Sequence, residues 1–356
     1  MTAADELGPP GDAPTPRRVF LPNVTRLRID AIARARDALR GEGVEPIAAF
    51  SFKTNPGAEL IAPARERGFR AEVISPDELR WARELGFGDD EIVYNGPHPP
   101  PAGERVGWLF ADSVEAFAAS ASARSARVRG VRLRPAMLPS RFGVPVEDDD
   151  ALAHAAASTS GEGIGVSFHA RRGDFRGATW RDVAGDVVAR AASLQARTRR
   201  TIVAFDAGGG WTPEEFEATF GADMRWLAAR LRADLPGCTE LIFEPGQALC
   251  TPTEALLTRV LEVRTRAGRR EAIVDAGYPE WPQMHAYVHG FFVWRDGAWR
   301  ALESGGDRLG GRTCLEYDLV DGLRFPPDIV AGDVLLIDRT GSYDRSMAFD
   351  FARGVR

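Results

Sequence analysis

The chain has 356 residues, 44% of them hydrophobic, enough for one large domain and a smaller one. A formal net charge of −6 disfavours a nucleic-acid or anionic-membrane surface. Three scattered cysteines, Cys238, Cys250 and Cys314, form neither a disulfide framework nor a zinc knuckle, and no run is apolar and long enough to span a bilayer, so a reduced, cytoplasmic, soluble protein is expected.

The stretch from Met1 to Pro16 is acidic, rich in Pro and Gly, and lacks the apolar core of a signal peptide; residues 1–23 are expected to form a loose segment. From 24 to 250, short apolar runs alternate with longer helical stretches. The strand-like runs are 46–52, 71–75, 91–95, 107–111, 127–134, 163–169, 201–206 and 240–244. Helix-like segments such as 75–85, 113–121, 180–196 and 213–231 lie between them. Several open on a capping Ser, Thr or Asp followed by an acid, as in Ser75-Pro76-Asp77-Glu78. Such alternation predicts an α/β fold with a (β/α)8 barrel. An open doubly wound sheet is the rival, because periodicity does not show closure. From 251 to 356 the texture changes. Runs at 255–263, 271–274, 290–294 and 334–337 are separated by Gly and Pro turns, which predicts a second, mostly β domain.

Lys53 is the only lysine; the other basic residues among the 45 are arginine. An amine can lose its proton and attack a carbonyl, whereas a guanidinium stays charged. Lys53 follows the apolar run Ala48-Ala49-Phe50-Ser51-Phe52, where burial lowers an amine's pKa. The position points to covalent chemistry, most simply a Schiff base.

Function in a barrel belongs at the C-terminal strand ends. Lys53 ends the first strand, Asn95 and Gly96 the third, and Arg132 lies late in the fifth. His169 ends the sixth, Asp206-Ala207-Gly208-Gly209-Gly210 the seventh and Glu244-Pro245-Gly246 the eighth. Three glycines after a strand are either a tight turn or a backbone cradle for phosphate. Taken alone, His169 reads as a core histidine and Glu244 as a turn carboxylate. Together on one rim, a lysine, a glycine loop, a carboxylate and a flat ring are what pyridoxal phosphate requires. His98, His154, His285 and His289 lack ligand spacing with acidic or cysteine partners, so no metal site is expected.

The motif set resembles the fold type III pyridoxal-phosphate decarboxylases, the family of ornithine, diaminopimelate and arginine decarboxylases. The resemblance runs from about residue 20 to the C-terminus. It is carried by Ala49-Phe50-Ser51-Phe52-Lys53-Thr54-Asn55-Pro56, Glu72-Val73-Ile74-Ser75 with Glu78-Leu79, and Ser140-Arg141-Phe142-Gly143. Gly165-Val166-Ser167-Phe168-His169, the Asp206 glycine loop and Glu244-Pro245-Gly246 follow in family order. The later part adds Val274-Asp275-Ala276-Gly277, Gly311-Arg312-Thr313-Cys314 with Asp318, and Gly341-Ser342-Tyr343. The resemblance implies that Lys53 carries the cofactor, His169 stacks on its ring and Glu244 pairs with the ring nitrogen. Gly208, Gly209 and Gly210 wrap the phosphate, with Arg132, Gly246 and Gln247 also at the cofactor. It implies a homodimer with shared sites. The neighbouring subunit supplies Cys314, which protonates the product carbanion, and Tyr343, which reaches the phosphate. Arg141 pairs with Asp318 across the interface.

Three departures stand out. Gln247 replaces the arginine usual after Glu-Pro-Gly, and Arg171 and Arg172 replace a usual Gly-Ser after the histidine, so Arg172 is expected to supply the phosphate's missing partner. Leu315 replaces the acid usual after the cysteine. The stretch from Tyr278 to Gln283 lacks the Arg-Pro of the diaminopimelate members. Asp275, Gln283, Leu315 and Glu316 are taken as substrate-binding candidates, with a turn carboxylate kept open for Asp275. A specialised biosynthetic decarboxylase is expected, acting on a modified or carrier-linked amino acid. The alternatives are a racemase or epimerase on the same fold, and an inactive relative acting as a binding or regulatory protein.

Overall fold

The computed structural model describes residues 1–120, 126–158, 163–170 and 177–351. They divide into two compact units. One comprises Ile29–Lys53 and Gly57–Ala248, the other Met1–Arg28, Thr54–Pro56 and Leu249–Arg356. Numbered along the chain, strand β1 is Arg17–Phe20. Next come β2 Glu45–Ser51, β3 Arg70–Val73, β4 Ile92–Tyr94, β5 Val106–Ala111, β6 Ala126–Arg132, β7 Gly163–Ser167, β8 Thr201–Asp206 and β9 Glu240–Phe243. The later strands are β10 Glu254–Arg266, β11 Arg269–Val274, β12 Phe291–Arg295, β13 Ala298–Ala301, β14 Glu303–Gly310, β15 Leu319–Arg324 and β16 Val334–Ile337.

Strands β2 to β9 form the first unit's closed parallel barrel. Closure is explicit, because β2 pairs with β3 on one side and with β9 on the other. This excludes the open sheet. Both faces of most of these strands are covered, so runs such as Val106–Ala111 read as continuously apolar rather than alternating; β6, Ala-Arg-Val-Arg-Gly-Val-Arg, is the exception. Ala49, Val93, Trp108, Phe110, Val128, Ala204 and Ile242 form one buried cluster of the barrel. Helix starts follow cap chemistry: Ser75 Oγ accepts the Glu78 N–H, and Pro76 occupies the first helical turn. The single helix expected over 213–231 is different. Pro213–Glu215 and Gly221–Asp234 are α-helical, but Phe216–Phe220 between them is a π turn. Within it Phe216 and Phe220 stack at 4.2 Å, with Phe220 edge-on to Trp211 at 5.2 Å. Trp211, fully buried, thereby anchors the end of the glycine loop.

The second unit is a mixed sheet in the order β13-β12-β16-β10-β11-β14-β15, with β1 added beside β10. Its core includes Leu256, Val274, Trp281, Val293, Phe325, Leu335 and Ile337. The expected looseness of residues 1–23 is corrected here. Arg17–Phe20 pairs antiparallel with Glu254–Leu257, and Ala3 and Leu21 are buried with Ala255, Leu257 and Leu336. The apolar residues among the prolines and glycines suffice to seat the segment. Strands β13 to β15 also escape the sequence reading. β14 reads Glu-Ser-Gly-Gly-Asp-Arg-Leu-Gly and buries only its last two residues, so it carries no apolar alternation. No helix among the described residues is long and apolar enough to cross a membrane.

Candidate active site

The C-terminal rim of the barrel gathers Lys53, Asn95, Arg132, Arg141, His169, Asp206 and Glu244 around one cavity of about 570 Å³; Gly208, Gly209, Gly210, Gly246 and Gln247 are not among its lining residues. Strand β2 ends at Ser51, and the Phe52 N–H continues the ladder to the Glu72 carbonyl at 3.0 Å. Lys53 is thus delivered just past the last paired residue. Its Nζ donates to Glu72 Oε2, which also accepts from Ser51 Oγ, and it lies 3.9 Å from Glu244 Oε2. Glu72 is fully buried, and burial with the nearby Glu244 charge pushes its pKa up to about 7 against the pull of Lys53. Glu72 went unassigned in the sequence reading. The available signal was an acid inside the strand Arg-Ala-Glu-Val, which has no polar face.

Glu244 is the electrostatic hub. Its Oε1 accepts from Asn95 Nδ2 at 2.6 Å, while Oε2 faces Lys53 and, at 3.8 Å, His169 Nδ1. Burial raises its pKa, but Lys53, His169 and Asp206 outweigh this and hold it at about 2, so it is a carboxylate. Burial also lowers the His169 pKa. The Nδ1 atom also lies within reach of the Gly209 N–H, at 3.3 Å. Asp206 is the third buried acid. Burial and the Glu244 charge raise its pKa well above the usual range.

The glycine loop leaves no room for side chains. Gly208 has φ +64°, and a Cβ there would meet the Phe168 carbonyl oxygen at 2.5 Å. The Gly208 carbonyl accepts the Glu244 N–H at 2.7 Å, tying the ends of β8 and β9 together. Backbone this bare, beside Gly246 and the half-buried Gln247, is what a phosphate cradle requires. On the cavity's outer wall Arg132 and Arg141 flank the Phe142 ring at 5.1 and 4.1 Å, and Arg132 lies 3.9 Å from Asp112. Arg172 lies outside the described residues.

The second unit holds the remaining candidates. Cys314 is exposed, on a loop organised by Asp318. Buried Asp318 accepts the Tyr278 N–H at 2.7 Å through Oδ1, and the Thr313 N–H and hydroxyl at 3.0 and 2.6 Å through Oδ2. Leu315 and exposed Glu316 lie within this loop. Nearby, Arg312 Nη2 donates to Glu280 Oε1 at 2.6 Å. Asp275 does not stand ready for a substrate. Its Oδ1 accepts from Thr258 Oγ1 and the Arg259 N–H, and its Oδ2 from Thr15 Oγ1. These bonds fix three segments of the unit, so the turn-carboxylate alternative describes it better. The Gln283 side chain donates to Met347 Sδ, and its backbone N–H to Asp344 Oδ1 at 2.8 Å. Tyr343 has φ +64°, unusual for a residue with a Cβ, with its N–H on the Thr54 carbonyl and its ring stacked on Tyr287.

No protein-family model matches the chain. Among curated proteins it is similar to a diaminopimelate decarboxylase of Actinosynnema pretiosum subsp. auranticum, 27% identical over 354 residues, covering 90% of this chain and 78% of that protein. It is also similar to a lysine/ornithine decarboxylase of Selenomonas ruminantium, 23% identical, covering 85% of this chain and 80% of the relative. Among solved structures, the arginine decarboxylase of Paramecium bursaria Chlorella virus bound to agmatine shares the fold, with a TM-score of 0.78 at 17% identity, over 96% of this chain and 94% of that one.

Proposed function

We propose that this chain, a member of the fold type III pyridoxal-phosphate-dependent decarboxylase family, removes CO₂ from an α-amino acid. The observation that carries the reading is the position of the sole lysine. Lys53 Nζ sits at the barrel rim between two buried acids, Glu72 and Glu244, in a cavity lined also by His169. The donor set fits the cofactor: an amine for its aldehyde, a bare glycine backbone for its phosphate and a deep carboxylate for its ring nitrogen. When bound, pyridoxal phosphate supplies the electron sink that lets a carboxylate leave as CO₂.

The chain's own residues do the rest. Lys53 binds the aldehyde, and Glu72 takes and returns the Nζ proton as the amine exchanges with the substrate's. Glu244, kept anionic, holds a proton on the ring nitrogen. His169 stays neutral and packs its flat ring against the cofactor. The bare backbone of Gly208, Gly209 and Gly210 lets the phosphate approach closely while Asp206 and His169 hold the Gly208 and Gly209 N–H groups in place, with Arg172 supplying charge that Gln247 lacks. The working unit is a homodimer. Cys314 of the partner subunit delivers a proton to the α-carbon after CO₂ leaves, and Tyr343 of the partner subunit reaches the phosphate. The expected Arg141–Asp318 pair is not part of this unit, because Asp318 is buried and bonded to Tyr278 and Thr313 of its own chain. With Leu315 where an acid is usual and no arginine in the 278–283 stretch, the substrate is a modified or carrier-linked amino acid of a biosynthetic pathway.

The test is the visible spectrum of purified protein with added pyridoxal phosphate, wild type beside Lys53→Ala, followed by CO₂ release from a panel of amino acids. A yellow band in wild type alone, with CO₂ from at least one substrate, supports the reading. A band with inversion of configuration and no CO₂ means a racemase. No band in either protein means an inactive relative.

A further inference from the structure

Asp206 ends strand β8 and is fully buried. Its Oδ1 accepts the Gly208 N–H, the first amide of the glycine loop, at 2.9 Å. Its Oδ2 has no N–H or hydroxyl donor among the described residues. Glu244, also buried, lines the same cavity. Two carboxyl groups crowded into one buried site do not both ionise, so one of them keeps a proton. The surroundings decide which. Glu244 is faced by the Asn95 amide, by Lys53 and by His169, whereas Asp206 is faced by one backbone amide and by the charges of Glu244 and Glu72. The third acid, Glu72, is engaged elsewhere through Oε2, which accepts from Lys53 and Ser51. The same balance pushes the Asp206 carboxyl well above the ordinary range and holds Glu244 at about 2.

We propose that Asp206 is a positioning residue that works as a neutral carboxylic acid, accepting from the glycine loop with one oxygen and donating to Glu244 with the other. One side chain then sets both ends of the cofactor site, the phosphate cradle and the carboxylate opposite the ring nitrogen. The inference rests on the pyridoxal-phosphate reading above. It has a chemical signature. An acceptor on one branch and a donor on the other is also the pattern of an asparagine amide, so the charge-free isostere should serve where alanine cannot.

The experiment titrates pyridoxal phosphate into purified full-length wild type, Asp206→Asn and Asp206→Ala. It follows the visible band and its pH dependence from about pH 5 to 9, with folding checked by circular dichroism. Asn should bind within about threefold of wild type with an unshifted pH transition, while Ala should bind at least about tenfold more weakly with the transition displaced. A folded Asn variant that binds as poorly as Ala overturns the proposal, since Asp206 would then act as an anion. An Ala variant that binds like wild type, with the same pH transition, overturns it too. If Ala does not fold, the Asn arm decides alone, and an Asn variant that does not fold counts against the proposal. Failure of the underlying reading appears separately, as a wild type that binds no cofactor, and takes the inference with it.

Discussion

The backbone of Gly209 runs so close to Glu244 that a Cβ on the glycine would lie 2.1 Å from the Glu244 carbonyl oxygen. The contact is backbone to backbone, so no rotamer change can relieve it. Gly209→Ala must push the glycine loop away from the end of β9, disturbing phosphate cradle and carboxylate together. The variant should lose about 1–3 kcal/mol of stability, the usual cost of forced overpacking. Its cofactor affinity should fall at least about tenfold. Urea unfolding and cofactor titration measure the two effects.

Glu244→Gln keeps the size and the Asn95 neighbour but removes the charge. The cofactor should still bind through Lys53 and the glycine loop, while kcat falls about 10²- to 10³-fold, the range seen when a single electrostatic stabiliser is lost. Steady-state CO₂ release together with the cofactor spectrum separates this outcome from simple loss of the cofactor.

Arg172→Ala should weaken cofactor binding far more than Gln247→Ala, by about tenfold or more, if Arg172 carries the phosphate's counter-charge. Equal, small effects in parallel titrations would discard that assignment.

Asp318→Ala strips the acceptor from two backbone N–H groups and the Thr313 hydroxyl. Leaving such donors unsatisfied costs about 1–3 kcal/mol. The Cys314 loop should loosen, so CO₂ release should fall more than cofactor binding does. Differential scanning calorimetry and the two activity readouts test this.

Asp344 gives a pH prediction. Burial raises its pKa from 3.8 to about 7, with the Gln283 N–H and Arg18 pulling against the rise and Glu254 adding to it. The folded state therefore holds this proton more tightly than the unfolded chain does. Its contribution to stability is greatest below about pH 4 and declines as the pH climbs to about 7. Asp344→Asn should flatten that decline, leaving denaturation midpoints at pH 5 and pH 8 closer together than in wild type. An unchanged gap would show that Asp344 does not carry it.

The barrel was legible in the sequence because most of its strands are covered on both faces, which leaves apolar runs such as Val106–Ala111. The polar strands β13 to β15 were not, because their residues are largely solvated and a pleat with no buried face has no periodic signature. Nor was the π turn, since Phe216 and Phe220 are four apart, the spacing of an ordinary helix. At the site, Lys53, His169, Glu244 and the three glycines could be named from their places at strand ends. The roles of Glu72 and Asp206 could not, because they follow from which strands become neighbours. Asp206 reaches Glu244 only because β8 and β9 pair with Asp206 opposite Ile242, two residues before the acid. Asp275 shows the reverse case, a residue in a recognisable motif whose oxygens are consumed by hydroxyl and backbone donors.

The pairing of Phe20 with Glu254 sets a timetable for synthesis. Strand β1 leaves the ribosome about 230 residues ahead of its partner, and at about 5–20 residues per second it waits on the order of ten to fifty seconds. Every barrel strand is made within that interval. The nascent chain therefore carries an unpaired strand throughout the assembly of the barrel, a period in which chaperone capture or wrong pairing competes with the arrival of β10.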